Sequence, residues 1–425
     1  MKLIINHANL GAIMKDKVFV IGAGKGQVPI IEICRKRNYE VIVISREGDY
    51  PGFALADRYY HIDIKDKEKV LEAARKEKIT AVLTDQLDAA VATTAYVAEQ
   101  LSLPGIGYEC AMKFTNKLLM KREVQKLGIE MPEYAIAHTV EEACSKADKI
   151  GYPVVIKPVD QEGSRGVIKV NCGQELEQSF NLSLKGSKYK YLEIEKFISG
   201  VEYIALGFAQ DYEFTNLTIG QYNQFKLENY FIPKMRLVKD ATSANTEAEV
   251  EILEKTKKIV QGFGMKYGIS EAEFIYDRIN NKVYFVEIAA IGGGMYVSSD
   301  VVPLACGINV TELLVDFATG RKIHADLNNL STGVAGYLCF TLPEGTIMAV
   351  ENVDKLFNIP GVHNAFLDTV QVGKVANKMV DKSMRLGPIL FYGKTKNDCM
   401  ETIKKVKDTL KISVNTPEGI KGIMW

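Results

Sequence analysis

The sequence predicts an α/β protein of several parts, opening with a parallel sheet. Three observations carry this: a strand–helix–strand series over the first hundred residues, a central hairpin with an acid on each arm, and an ordinary globular composition over 425 residues. Hydrophobic residues are 47% and charged residues 25% of the chain, which suits two to four packed domains. Its 53 basic residues balance 53 acidic ones, which argues against a nucleic-acid partner held by bulk charge. Seven cysteines stand singly, without a Cys-x-x-Cys pair, as reduced cytosolic thiols do. Five histidines without metal spacing argue against a zinc hydrolase. Residues 1–7 lack a long apolar stretch and no run of about 18 apolar residues occurs, so a cytoplasmic protein without membrane contact is expected.

Taken in order, Lys17–Ile21 reads as a buried strand, residues 22–26 as a turn and residues 28–37 as a helix leading to a second strand at 41–44. A helix near 68–76 precedes a third strand at 81–84, and such alternation implies parallel pairing. Gly22-x-Gly24-x-Gly26 lacks the spacing of a dinucleotide fingerprint, and Ser45-Arg46 rather than an acid ends the second strand. A tight connection without nucleotide is expected there. Residues 112–127 read as one amphipathic helix closed by Gly128, with Lys113, Lys117 and Lys121 at i, i+4 spacing on one face. That face is either solvated or presents cations to phosphate.

Residues 151–158 read as a strand with Lys157 near its end, and residues 167–170 as its hairpin partner. Between them Gly163, Ser164 and Gly166 allow backbone N–H groups to turn inward as an anion nest, although a plain turn fits the same residues. Residues 191–203 join two strand-like runs through Ser199-Gly200, a linker able to meet an adenine edge with a carboxylate left for ribose. Residues 271–289 are predicted as a β-hairpin. Centred on Asn280, it sets Glu273 opposite Glu287, and like charges there call for a cation such as Mg²⁺ between them, or else for full solvation. Arg236, on a strand-like run, suits a substrate-carboxylate clamp or a solvated arginine. The tail has strand runs at 335–342 and 387–392 and a helix near 397–407.

In this order the motifs resemble the ATP-grasp superfamily, of the carboxylate–amine ligase type. The matching pieces are residues 115–121, 151–157 with 163–167, 195–202, and Glu273 with residues 287–290. The resemblance implies a Rossmann-like pre-ATP-grasp domain at 1–110, a two-lobed ATP-grasp domain at 111–330 with its glycine-rich lid at about 134–196, and a small C-terminal α+β lobe at 331–425, where Arg385 could help close the site. It implies ATP and Mg²⁺, with Mn²⁺ as an alternative ion, and small-molecule carboxylate and amine substrates; a homodimer is left open. Lys117 and Lys157 would contact phosphates under the loop carrying Gly163, Ser164 and Gly166. Glu195, Lys196 and Ile198 would meet adenine, Glu202 would hold the ribose, and Glu273 with Glu287 would bind Mg²⁺. Two positions depart from the family's pattern, Ala289 for a usual Asn ligand and Ile291 for a usual Arg. Arg236, Lys239 and Arg278 are the expected replacements, and Lys157, Arg236 and Arg278 are assigned catalytic roles. Two other readings remain, a phosphotransferase that stops at a phosphorylated product and a catalytically impaired nucleotide-binding protein.

Overall fold

The computed structural model describes residues 15–160, 163–227, 231–322 and 325–425, so the expectation for residues 1–7 lies outside the described residues. Strands β1 (Lys17–Ile21), β2 (Glu40–Ser45), β3 (Arg58–His61) and β4 (Ala81–Leu83) form an all-parallel sheet in the order β3-β2-β1-β4. Residues 18–21 of β1 are fully buried, as a parallel sheet covered on both faces requires. The strand at 81–84, expected as the third, is the fourth. β3 escapes a pattern reading because it is a short edge strand whose residues are mostly exposed.

Residues 112–127 do not form one helix. Helices Tyr108–Thr115 and Lys117–Lys126 meet at Asn116, whose backbone is extended (φ −101°, ψ 105°) and whose side-chain oxygen accepts the N–H groups of Leu118 and Leu119. An Asn favours a cap over a helix interior, and apolar periodicity alone does not register that break. The three lysines therefore do not share a solvated face. Lys113 donates to the Phe263 carbonyl, while Lys117 and Lys121 point to carboxylates of other elements.

Strands β5 (Tyr134–Ala137), β6 (Val154–Pro158), β7 (Ile168–Val170) and β8 (Leu192–Lys196) make a second sheet, ordered β5-β8-β6-β7. Helices Val140–Ile150 and Gly173–Ser183 cover its apolar face. The largest sheet contains β9 (Val201–Gln210), β10 (Glu213–Gln224), β11 (Pro233–Asp240), β12 (Tyr267–Asp277), β13 (Lys282–Ala289) and β14 (Val334–Phe340). β15 (Gly345–Glu351), β17 (Val375–Ala376), β19 (Lys411–Thr416) and β20 (Gly419–Lys421) form a fourth sheet, whereas β16 (Val362–Ala365) and β18 (Leu386–Gly393) join the largest. Its order is β13-β12-β9-β10-β11-β14-β18-β16. The tail thus extends the same sheet that carries the acidic hairpin, across the expected boundary at 330.

In that hairpin Glu273 does pair with Glu287, though by a different route. Near the turn the register runs Asp277↔Lys282 to Phe274↔Phe285, centred between Ile279 and Asn280, and a bulge after Phe274 restores the opposition. Because the Asn116 cap sets the helix start from which Lys117 projects, Asn116→Ala is expected to cost about 1 kcal/mol in urea unfolding. An unchanged midpoint would contradict the capping role.

Candidate active site

On β6 and β8 the residues facing the covering helices are apolar: Val154, Ile156, Leu192 and Ile194. Strand alternation therefore turns Lys157, Glu193 and Glu195 to the opposite face, with Lys157 and Glu193 as direct cross-strand partners. The Lys157 ammonium lies 2.7 Å from Glu195 and 3.3 Å from Glu193. Lys121 enters the same cluster from its helix, contacting both glutamates and standing 4.2 Å from the centre of the Tyr134 ring. Two lysines and two glutamates balance one another, which offsets the several kcal/mol that each ion would cost if buried alone.

The balance is uneven within the cluster. Glu193 is 0% exposed, and burial pushes its carboxyl up against the opposing charge of Lys157. Burial also works to raise Glu195, but Lys157 and then Lys121 overcome it and hold that carboxyl well below the usual range. For Lys157, burial opposes the charge and the two glutamates outweigh it, so its ammonium is held charged far above the ordinary lysine value.

Lys117 starts the helix capped by Asn116 and pairs with Glu287. Burial opposes its charge and Glu287 outweighs it, raising the lysine; in return Lys117 overcomes burial and lowers the Glu287 carboxyl. The Glu287 side chain is still 41% exposed and so faces open space. Opposite it, Glu273 accepts the Tyr222 hydroxyl at 3.3 Å. Among the described residues no group of three or more His, Cys, Asp and Glu is arranged to hold a metal on its own. A pair of carboxylates suits Mg²⁺, which takes its other ligands from phosphate and water.

A third acid, Glu271, faces the same side as Glu273 and pairs across the hairpin with Ala289. Arg236 occupies it through two hydrogen bonds of 2.6 and 3.0 Å, and also donates to the Tyr222 hydroxyl. Gly293 admits the carboxylate, since a Cβ there would stand 2.4 Å from its oxygen. Arg236, expected as a clamp for substrate, is 2% exposed and committed to a protein carboxylate. Lys239 is 3.0 Å from Glu249. Arg278 is exposed just past the end of β12. Ile291 packs with Val91, Ala95 and Ile106, away from the acids.

Around Glu202 the chain builds a pocket with Gly200, Tyr222, Gln224 and Lys234. Gln224 donates to Glu202 at 2.6 Å, and burial, then the charge of Glu273, push the Glu202 carboxyl up to about 7. The Lys196 side chain turns away, donating to the carbonyls of Gly151 and Tyr152 at 2.7 and 3.4 Å. With Glu195 held by lysines, the side chains of neither residue are free for an adenine; Ile198 lies in the linker between β8 and β9, where backbone groups could serve. In the glycine loop Gly163, Ser164 and Gly166 have φ of +69°, +60° and +71°, conformations that an anion nest uses; Gln161 and Glu162 lie outside the described residues. Asp85, 1% exposed at the end of β4, accepts the Gly292 N–H at 3.1 Å and the Ser298 hydroxyl, anchoring the loop after β13 to the first sheet. Glu193, Glu271, Tyr222, Gln224 and Asp85 are missed by the sequence reading, whereas Lys121 is read there within the lysine face. Of the missed residues only Glu193 left a signal, by its spacing from Glu195.

The family description "Carbamoyl-phosphate synthase L chain, ATP binding domain" matches residues 116–326. The L-arginine-specific L-amino acid ligase of Bacillus subtilis is 23% identical over 385 residues, covering 87% of this chain and 90% of that protein. The chain has the ATP-grasp fold, and its residues 116–326 are similar to this ATP-binding family. Its architecture agrees with solved ATP-grasp structures. An L-amino acid ligase from Bacillus licheniformis has a TM-score of 0.81 at 21% identity, covering 95% of this chain and 99% of that one. The biotin carboxylase domain of 2-oxoglutarate carboxylase from Hydrogenobacter thermophilus, solved with MgADP and bicarbonate, has a TM-score of 0.72 at 19% identity, with 96% and 92% covered. This ATP-grasp protein is an enzyme, similar to the ligases named here. No helix of the described residues is long and apolar enough to cross a membrane.

One carboxyl of this ATP-grasp site titrates near neutrality. Glu202 is held at about 7 against an ordinary 4.5, so the stability it contributes is full below pH 4.5 and is lost as pH rises through 7. Glu202→Gln is therefore expected to gain on the wild type in thermal midpoint between about pH 5 and about pH 8. A difference that stays flat in differential scanning fluorimetry over that range would contradict the buried environment of Glu202.

Proposed function

We propose that this ligase uses ATP to activate a small-molecule carboxylate as an acyl phosphate and joins the acyl group to an amine, releasing ADP and phosphate. The observation that carries the reading is a pair of charged lysines, Lys117 and Lys157, held beside the opposed Glu273 and Glu287. A carboxylate resists attack because its leaving group would be oxide. Its oxygen therefore attacks the γ-phosphorus, the bond from that phosphorus to the β–γ bridging oxygen breaks, and ADP leaves. The amine then attacks the acyl carbon, and the C–O bond to phosphate breaks.

Phosphoryl transfer of this kind asks for positioning and charge neutralisation, with no protein nucleophile. Lys117 and Lys157 bind phosphate oxygens, and the backbone N–H groups of the loop at Gly163, Ser164 and Gly166 cover them. Glu202 accepts the ribose hydroxyls, and the backbone of residues 195–198 meets the adenine. Glu273 and Glu287 would hold Mg²⁺, or Mn²⁺ in its place, which neutralises phosphate charge when bound. The loop also excludes water, which would otherwise hydrolyse the acyl phosphate. Ala289 and Ile291 favour a second reading, a protein that binds nucleotide without turnover.

ADP and phosphate release across a panel of amino acids and small carboxylic acids with Mg²⁺ tests both. Free phosphate that appears only when acid and amine are both present is the expected result, and phosphate-free ADP release with the acid alone points to a phosphotransferase. Tight ATP binding with no turnover for any pair would sink the ligase reading. Lys157→Met and Glu287→Gln are each expected to lower ADP formation by about 100-fold or more. Activity within a few fold of wild type in either variant would refute the assigned roles.

A further inference from the structure

The cation that the family's pattern puts at position 291 is not met by Arg236 or Lys239, which are paired with protein carboxylates, and Arg278 is exposed past the end of β12. We propose that Lys382, carried by the tail, supplies this charge by binding the phosphates of the nucleotide from above the cleft. The inference rests on the ATP-dependent reading above and extends it to a residue outside the matched motifs.

The geometry of the segment around Lys382 is built from several sides. Met379 and Met384 flank the lysine and pack with Phe225 and Ile232 at the ends of β10 and β11. Phe225 directly follows Gln224, whose amide holds Glu202. Arg385 donates from Nε to the Lys382 carbonyl at 2.9 Å, and from Nη1 to the Pro233 carbonyl at 2.9 Å. Asp381 closes the turn by accepting the N–H and hydroxyl of Ser383. The backbone of Lys382 is therefore fixed over the edge of the pocket that contains Glu202.

Its side chain has a different character. Among the described residues Lys382 forms no ion pair, unlike Lys117, Lys121 and Lys157. Yet its charge acts on the carboxylates of both Glu202 and Glu287. These mark the ribose end and the metal end of the proposed nucleotide site, and the phosphates lie between them. A lysine whose backbone is anchored beside Gln224 and the pocket of Glu202, and which has no protein ion-pair partner among the described residues, is placed to meet phosphate oxygens, and its origin in the tail couples the last segment of the large sheet to the chemistry.

The test is calorimetric binding of AMP-PNP with Mg²⁺, and of adenosine, to the wild type, Lys382→Met and Lys382→Arg. Lys382→Met is expected to bind AMP-PNP at least about tenfold more weakly, Lys382→Arg to recover most of the loss, and adenosine affinity to stay unchanged in both. Equal thermal midpoints without nucleotide establish that the fold is kept. AMP-PNP affinity of Lys382→Met within about twofold of wild type overturns this proposal alone. A wild type that binds no nucleotide overturns the ATP reading and this proposal with it.

Discussion

The Lys157 ammonium, shared by Glu193 and Glu195 and also felt by Glu287, is the interaction on which the cleft depends. A cation sunk this far from water is tolerable only with carboxylates beside it, and those carboxylates only with a second cation, Lys121. The cluster thus fixes Lys157 in its charged form before any substrate arrives. Removing one member would leave the others uncompensated at a cost of roughly 3–5 kcal/mol, so stability and phosphate binding share the same residues. Neutral replacement of Lys157 is accordingly a change to the fold as well as to the chemistry.

The acidic hairpin solves the complementary problem of keeping like charges close. Lys117 pairs with Glu287, Tyr222 hydrogen-bonds Glu273, and Arg236 neutralises Glu271. Ala289 sits across from Glu271, and Gly293 leaves room for its carboxylate. The departure at Ala289 therefore belongs to a local arrangement in which a third acid is tied to an arginine and two acids stay available. Asp85 then fixes the loop beyond the hairpin to the first sheet, joining the two halves of the molecule.

Much of this was legible in the sequence where the signal is local. The strand run at 151–158 placed Lys157 near its end, and the turn chemistry of the hairpin brought Glu273 opposite Glu287 even though a bulge was needed to do it. The order of motifs gave the family. What escaped depends on long-range packing. The partner of Arg236 lies 35 residues away on a strand that is not its neighbour in the sheet, so exposure and clamping looked equally plausible in isolation. Asn116 broke a helix because its side chain capped the next one, which apolar spacing does not encode. The tail read as a separate lobe because nothing in strand patterns announces that β14, β16 and β18 extend a sheet begun more than a hundred residues earlier.

Formation of an acyl phosphate is the centre of the account, and oxygen transfer tests it most directly. With the acid substrate labelled with ¹⁸O in both carboxylate oxygens, and the amine and ATP unlabelled, mass spectrometry of the released phosphate reads which bond was made. Attack of the carboxylate on the γ-phosphorus predicts one ¹⁸O atom in each phosphate released. Phosphate free of ¹⁸O would contradict it.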